Sequence, residues 1–293
     1  MTHSPCTLIN QKPHYIGIGT RRCASSRTHE LLSAHPEVLK PDRGQHYFSQ
    51  NHHKGLDWYR QQFEAAGQEI ITVDISVSQL YPELAEISAE RIKEFSANPN
   101  LFAILRNPVK RAYSDYARSI MLCEIDTKLS FIDACHRHPE FIERSKYHKL
   151  LTPYWERFGV ENIKLFYFED MFSDPDTFFN GMAAYFGINS EPFLNHVDGE
   201  TGHGHASKSP TLQRLILGGK SALRSGARKL GVETGWNTVT RTFQPVYQKM
   251  LRLNAREIKM SPQEYDYAYG LLKKDIDAFV KFVPEVNEYW NLT

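Results

Sequence analysis

Long apolar runs are missing from this sequence. None approaches the ~20 residues that a membrane-spanning helix requires, although 41% of the 293 residues are hydrophobic. Residues 1–12 are polar and lack the apolar stretch of a secretion signal. A surplus of either charge is missing too, with 35 Lys plus Arg against 34 Asp plus Glu. A polyanion-binding protein usually shows a basic excess, so nucleic acid is set aside as a partner. Cysteine is scarce: Cys6, Cys23, Cys123 and Cys135 show no CxxC spacing. They read as reduced thiols in a cytoplasmic protein. Internal repeats and low-complexity linkers are also lacking. What remains is a globular composition, long enough for a full α/β core.

Residues 15–18 form an apolar run that predicts a buried strand. A small polar loop, 19–26, leads to a helix through Leu31 and Leu32 that stops near His35-Pro36. Further strands are expected at 69–75, 101–105 and 163–168, and helices at 82–95, 108–122, 147–158 and 175–186. Strands alternating with helices predict an α/β protein, three layers deep around a central parallel sheet. One domain is expected over 1–293, with a core at 14–190, a variable basic segment at 191–260 and a helical tail at 261–293. Residues 201–232 hold no acidic residue but carry Lys208, Arg214, Lys220, Arg224, Arg228 and Lys229. The tail opens with Ser261 as N-cap, Pro262 at the first helical position and Glu264 in the first turn.

Two loops have the chemistry of phosphate sites. In Gly19-Thr20-Arg21-Arg22-Cys23-Ala24-Ser25-Ser26 a strand gives way to a helix whose first N–H groups lack intrahelical partners. Ser25 and Ser26 add hydroxyl donors, and Arg21 and Arg22 add guanidinium forks that suit phosphate oxygens. The Gly-Lys-Ser/Thr ending of a nucleoside-triphosphatase loop is missing. Alone, this loop reads equally well as an ordinary strand-to-helix turn. The second loop places Arg106 at a strand end, where open α/β sheets bind ligands. Ser114 follows on the next helix, eight residues or about two turns on. The plain alternative is a surface arginine and a solvated serine.

Together these segments resemble the PAPS-dependent sulfotransferases (PAPS is 3′-phosphoadenosine 5′-phosphosulfate), especially the branch with heparan-sulfate sulfotransferases and bacterial relatives. Residues 19–26 resemble that family's loop for the 5′-phosphosulfate. Arg106-Asn107-Pro108-Val109 through Ser114 resembles its 3′-phosphate site. His46-Tyr47-Phe48, Phe168-Glu169-Asp170 and the tail ending at Trp290 add to the match. The resemblance implies a P-loop-NTPase-like fold, PAPS as cosubstrate, PAP as product and no metal. It implies that Arg21, Arg22, Cys23, Ala24, Ser25, Ser26, Arg106 and Ser114 hold the nucleotide, with Lys208 of the late basic segment as a further phosphate contact. The acceptor is then a hydroxyl or amine of a small metabolite, lipid or glycan.

The chain also departs from the family. Arg22 stands where lysine is usual, and Ala24-Ser25 where Gly-Thr is usual. Gly44 occupies the position of a glutamate, and Asp74-Ile75-Ser76-Val77 replaces a Glu/Lys-Thr-Pro segment. Arg22 is expected to act as a fixed cation at the oxygen bridging sulfate and phosphate. Were 44–48 extended, Gly44 and His46 would face the same side, making His46 the first choice of base. His46 reads equally as a structural histidine that orients its loop. Asp74 is the second choice of base and Asp42 the third. Two rival readings follow. One is a P-loop-like phosphotransferase, which the missing Gly-Lys-Ser/Thr disfavours. The other is a non-catalytic binder of PAP or PAPS, which Gly44 motivates.

Overall fold

The computed structural model describes residues 8–41, 43–64, 67–194, 205–207, 209, 211–213, 215, 250 and 254–290. β1 (Leu8–Ile9) and β2 (Lys12–Gly19) form an antiparallel hairpin. Asn10 and Gln11 at its tip both have positive φ, 50° and 65°, the pattern of a tight hairpin turn whose twist matches its strands. β2 then becomes the middle of a parallel sheet with β3 (Val38–Leu39), β4 (Ile71–Ile75), β5 (Asn100–Leu105) and β6 (Ile163–Tyr167). The order across it is β3-β4-β2-β5-β6. The helices among the described residues include α1 (Ser25–Ala34), α2 (Leu56–Gln61), α3 (Ala85–Phe95), α4 (Pro108–Met121), α5 (Phe131–Arg137), α6 (Glu140–Glu143), α7 (Tyr147–Phe158), α8 (Asp170–Ser173) and α9 (Pro175–Phe186), with a long late helix, Pro262–Phe282. No helix among the described residues is long and apolar enough to cross a membrane.

The chain divides into two compact units. The first comprises Met1–Ala112, Ile142–Gly202 and Ala268–Thr293, and the second Tyr113–Phe141 and His203–Tyr267. In the first, alternating strand residues feed two cores. Ile16, Ile18, Leu101, Ala103 and Leu105 pack with Ile92, Leu151, Tyr154, Phe279 and Trp290. Tyr15, Val73, Ile75, Phe102 and Ile104 pack with Leu31, Leu32, Phe178 and Met182. Both faces are covered, which is why these strands read as continuous apolar runs. β4 is the exception, because its Thr72 and Asp74 alternate with Ile71, Val73 and Ile75 and are polar yet fully buried. In the second unit, Tyr113, Tyr116, Phe131 and Phe141 make ring contacts. There β7 (His205–Ser207) also pairs antiparallel with β8 (Ala255–Glu257).

Several boundaries differ from the sequence reading. β4 starts at Ile71, which is buried, whereas Ile70 is exposed; the Glu37 carbonyl takes the N–H groups of both. The helix expected from residue 82 begins at Ala85, after a turn in which the Leu84 and Ala85 N–H groups both go to the Tyr81 carbonyl. α7 runs through Pro153 although proline cannot donate to the preceding turn. Its buried Leu150, Leu151, Tyr154, Trp155 and Phe158 hold it together. The helix starts at Pro108 and Pro262 carry side-chain caps, of which the one at Ser261 was expected. Asn107 Oδ1 accepts from the Val109 and Lys110 N–H groups, each at 3.1 Å. Ser261 and Glu264 exchange hydrogen bonds as a capping box.

Candidate active site

β2 delivers the chain to Gly19, and Thr20 ties the following loop to the neighbouring strand. Its N–H and its hydroxyl both donate to the Ile104 carbonyl at 3.0 Å. Arg22 and Ala24 are left-handed, with φ of 72° and 58°. Ala24 thus sits where glycine would be free of steric cost, and left-handed residues in such a turn aim backbone N–H groups into an anion-binding concavity. α1 starts at Ser25 with no side-chain cap and no acidic residue in its first turn. Its orphan donors and dipole are left for an anion. Arg21, Arg22 and Ser25 are half-buried and Ser26 is exposed. Cys23 points inward, its Sγ 2.6 Å from the Thr20 hydroxyl, and burial pushes the thiol up to about 11. Its side chain packs; only its backbone belongs to the loop.

β5 lies beside β2 and delivers Arg106. Its guanidinium stacks on Phe168, 4.1 Å from the ring centroid, and reaches the Arg22 carbonyl at 3.5 Å. Arg106 Nε is buried and has no hydrogen-bond partner among the described residues. Leaving a buried donor unpaired costs about 1–3 kcal/mol, and a phosphate oxygen is the acceptor that a guanidinium fits best. Burial lowers the Arg106 pKa, but the group stays charged. The backbone of Arg106 and Asn107 is braced by two side chains, the second of them held in turn by Trp290. Tyr147 donates to the Arg106 carbonyl at 2.9 Å. Glu169 accepts from the Asn107 N–H at 2.9 Å and from Trp290 Nε1 at 3.2 Å. Three segments that are far apart in sequence therefore meet at this one loop. Ser114 is buried on α4, within the second unit. Lys208 and Asp42 lie outside the described residues.

At the end of β4 the geometry accounts for the missing glutamate. A Cβ on Gly44 would lie 2.2 Å from the Ile75 carbonyl oxygen. The loop backbone runs against the strand end, and no side chain fits. Asp74 is fully buried beneath this loop. Its Oδ1 accepts from the Gln45 N–H at 3.0 Å and the Ser76 hydroxyl at 2.9 Å, and its Oδ2 from the Tyr59 hydroxyl at 3.1 Å. Burial raises the Asp74 pKa, against the pull of these bonds. Tyr59 also meets His14 Nε2 at 2.9 Å, and His14 Nδ1 meets Thr72 at 2.8 Å. Burial drops His14 to about 3, so it is neutral.

The expectation that 44–48 is extended is corrected at His46, whose φ is 51°. The chain turns there because the His46 N–H is held by Ser76 Oγ at 2.8 Å while its carbonyl takes the Gln50 and Asn51 N–H groups. The half-buried ring places Nδ1 2.5 Å from Ser78 Oγ. Nε2 has no partner among the described residues. Burial lowers the His46 pKa, opposed by the Asp74 charge, so the neutral form prevails at neutral pH. Nearby, His29 Nε2 reaches the Ile75 carbonyl at 3.3 Å and its Nδ1 meets Lys40 Nζ at 2.7 Å. Sequence reasoning missed Ser49, Ser78, His14 and the bracing role of Tyr59. The alternation of Thr72, Asp74 and Ser76 was the available signal of a polar seam at β4.

Two adjacent strand ends of a parallel α/β sheet thus carry groups whose chemistry suits an anion. Residues 12–213 match the family described as "Sulfotransferase domain", and the chain belongs to that family. It is similar to "Heparan sulfate glucosamine 3-O-sulfotransferase 5" of Homo sapiens, 33% identical over 113 residues, covering 38% of this chain and 32% of that one. It is also 27% identical over 172 residues to "Heparan sulfate glucosamine 3-O-sulfotransferase 3A1" of Mus musculus, covering 56% and 43%. The matches thus span less than half the length of these curated relatives. A solved sulfotransferase from Alicyclobacillus acidocaldarius shares the fold, with a TM-score of 0.53 at 21% identity over 69% of this chain and 89% of that one. The expected three-layer, P-loop-like fold around a parallel sheet is the fold observed.

Proposed function

We propose that this protein transfers the sulfuryl group of PAPS to a hydroxyl or amine. The observation that carries the reading is the pairing of the uncapped α1 N-terminus with Arg106, whose buried Nε lacks an acceptor, at the ends of neighbouring strands. Bound PAPS supplies the sulfuryl group and a leaving phosphate. The loop 21–26 and Arg106 hold the nucleotide; the sequence resemblance adds Ser114 and Lys208. Arg22 supplies fixed positive charge, which stabilises a departing phosphate without donating a proton. His46 accepts the acceptor's proton at Nε2. Asp74 supports that histidine by holding the N–H of Gln45 and the Ser76 hydroxyl. The acceptor in the relatives' names, heparan sulfate glucosamine, makes a glycan hydroxyl the first acceptor class to test.

Thermal unfolding with PAP tests the nucleotide site. A ligand at about 100 times its Kd adds ~2.7 kcal/mol to the folded state. PAP is expected to raise the Tm of the wild type strongly and that of Arg106→Ala weakly, while ATP with magnesium has little effect. A rise with ATP and magnesium alone would point to a phosphotransferase. A rise with PAP but no sulfuryl transfer to any acceptor would mark a non-catalytic binder.

A further inference from the structure

We infer that Ser49 and Ser78 set the tautomer of His46, placing its proton on Nδ1 and leaving the Nε2 lone pair free to take a proton. The inference builds on the reading of His46 as the base. Three contacts form a circuit. His46 Nδ1 lies 2.5 Å from Ser78 Oγ, Ser78 Oγ lies 2.6 Å from Ser49 Oγ, and Ser49 Oγ donates to the His46 carbonyl at 3.2 Å. The carbonyl, which also takes the Gln50 and Asn51 N–H groups, can only accept, so a Ser49 hydrogen given to it sets the direction of the other two contacts. Ser49 gives its hydrogen to the carbonyl, Ser78 gives its hydrogen to Ser49, and the Ser78 oxygen accepts from Nδ1–H. Each donor is used once, and the circuit closes on the residue where it began.

Run the other way, the circuit loses the Ser49–carbonyl bond and puts the ring proton on Nε2. A free imidazole side chain in water prefers that Nε2–H form. Which nitrogen carries the proton in a protein is set by the bond the other nitrogen makes, and here that bond is to Ser78. Both serines are buried, at 6% and 1% exposure, so water does not compete for them. Arg91 Nη1 donates to the Ser49 carbonyl at 2.8 Å and to the Phe48 carbonyl at 3.2 Å, which holds the far end of the circuit in place. Ser49 and Ser78 are thus positioning residues, acting on the acceptor only through His46.

The test is a long-range proton–nitrogen spectrum of the full chain labelled with 15N-histidine, with His46 assigned from the signals lost in His46→Gln. The wild type is expected to show a protonated Nδ1 and an unprotonated Nε2. Ser78→Ala removes the acceptor of Nδ1–H. Ser49→Ala frees the Ser78 hydrogen to point at Nδ1 without touching the ring. Each is expected to move the proton to Nε2 and to lower kcat about tenfold or more with KM little changed, and Ser78→Thr to restore the wild-type tautomer. A wild-type His46 protonated on Nε2, or a tautomer that neither alanine variant shifts, overturns the inference. A shift in tautomer with turnover unaffected upholds the circuit and instead overturns His46 as the base.

Discussion

Replacing Gly44 by alanine puts a Cβ 2.2 Å from the Ile75 carbonyl oxygen, a backbone atom that cannot step aside alone. Overpacking of this kind costs about 1–3 kcal/mol, so Gly44→Ala is expected to lower the denaturant midpoint. Gly44→Glu, which restores the family's carboxylate, is expected to destabilise further and not to raise turnover. The departure at Gly44 was legible in the sequence. Its reason was not, because it is a contact with a distant strand end. The same holds for His46: its identity was visible, but its left-handed turn depends on Ser76, contributed from beyond β4. A pH–rate profile checks the chemistry of the ring. Burial lowers the His46 pKa. The base form therefore survives below the ordinary histidine value of about 6.5, and kcat/KM should fall only as pH drops further. An acid limb centred above that value would remove His46 from the role.

Element boundaries were most readable where a cap is local. Asn107 before Pro108, Asp174 before Pro175, and Ser261 with Glu264 each announce a helix within four residues, and each makes its cap bond. The two-residue β1 and β3 carry too few side chains for a period to show. The expected 191–260 segment lies mostly outside the described residues. The C-terminal Trp290 links two elements through its stack on Phe279 and its bond to Glu169. Trp290→Phe keeps a ring but loses the donor, so it is expected to weaken PAP binding more than stability, read by titration calorimetry and urea unfolding. Trp290→Ala removes a side chain only 1% exposed and is expected to cost about 3–5 kcal/mol.

For the whole molecule, the buried histidines predict acid sensitivity. His14 is held to about 3 and His29 to about 4, both by burial first, with Lys40 also lowering His29. Below the ordinary value of about 6.5 the unfolded chain takes up protons that the native state refuses. Stability is therefore present above that pH and lost as pH falls toward the folded values, by up to about 1.4 kcal/mol per pH unit for His14. Asp74, raised by burial, works in the opposite sense. Urea unfolding is expected to show lower stability at pH 4.5 than at 6.5, and His14→Gln to flatten that slope. The position of β2 has a different consequence, for folding kinetics. β2 is the middle strand, yet both its neighbours, β4 and β5, come later in the chain and reach it only across intervening helices. A nascent chain must emerge to Leu105 before its first long strand has partners on both sides. Such non-local pairing closes large loops before it is rewarded. Refolding is therefore expected to be slow, with an exposed β2 as the segment most exposed to mispairing on the way.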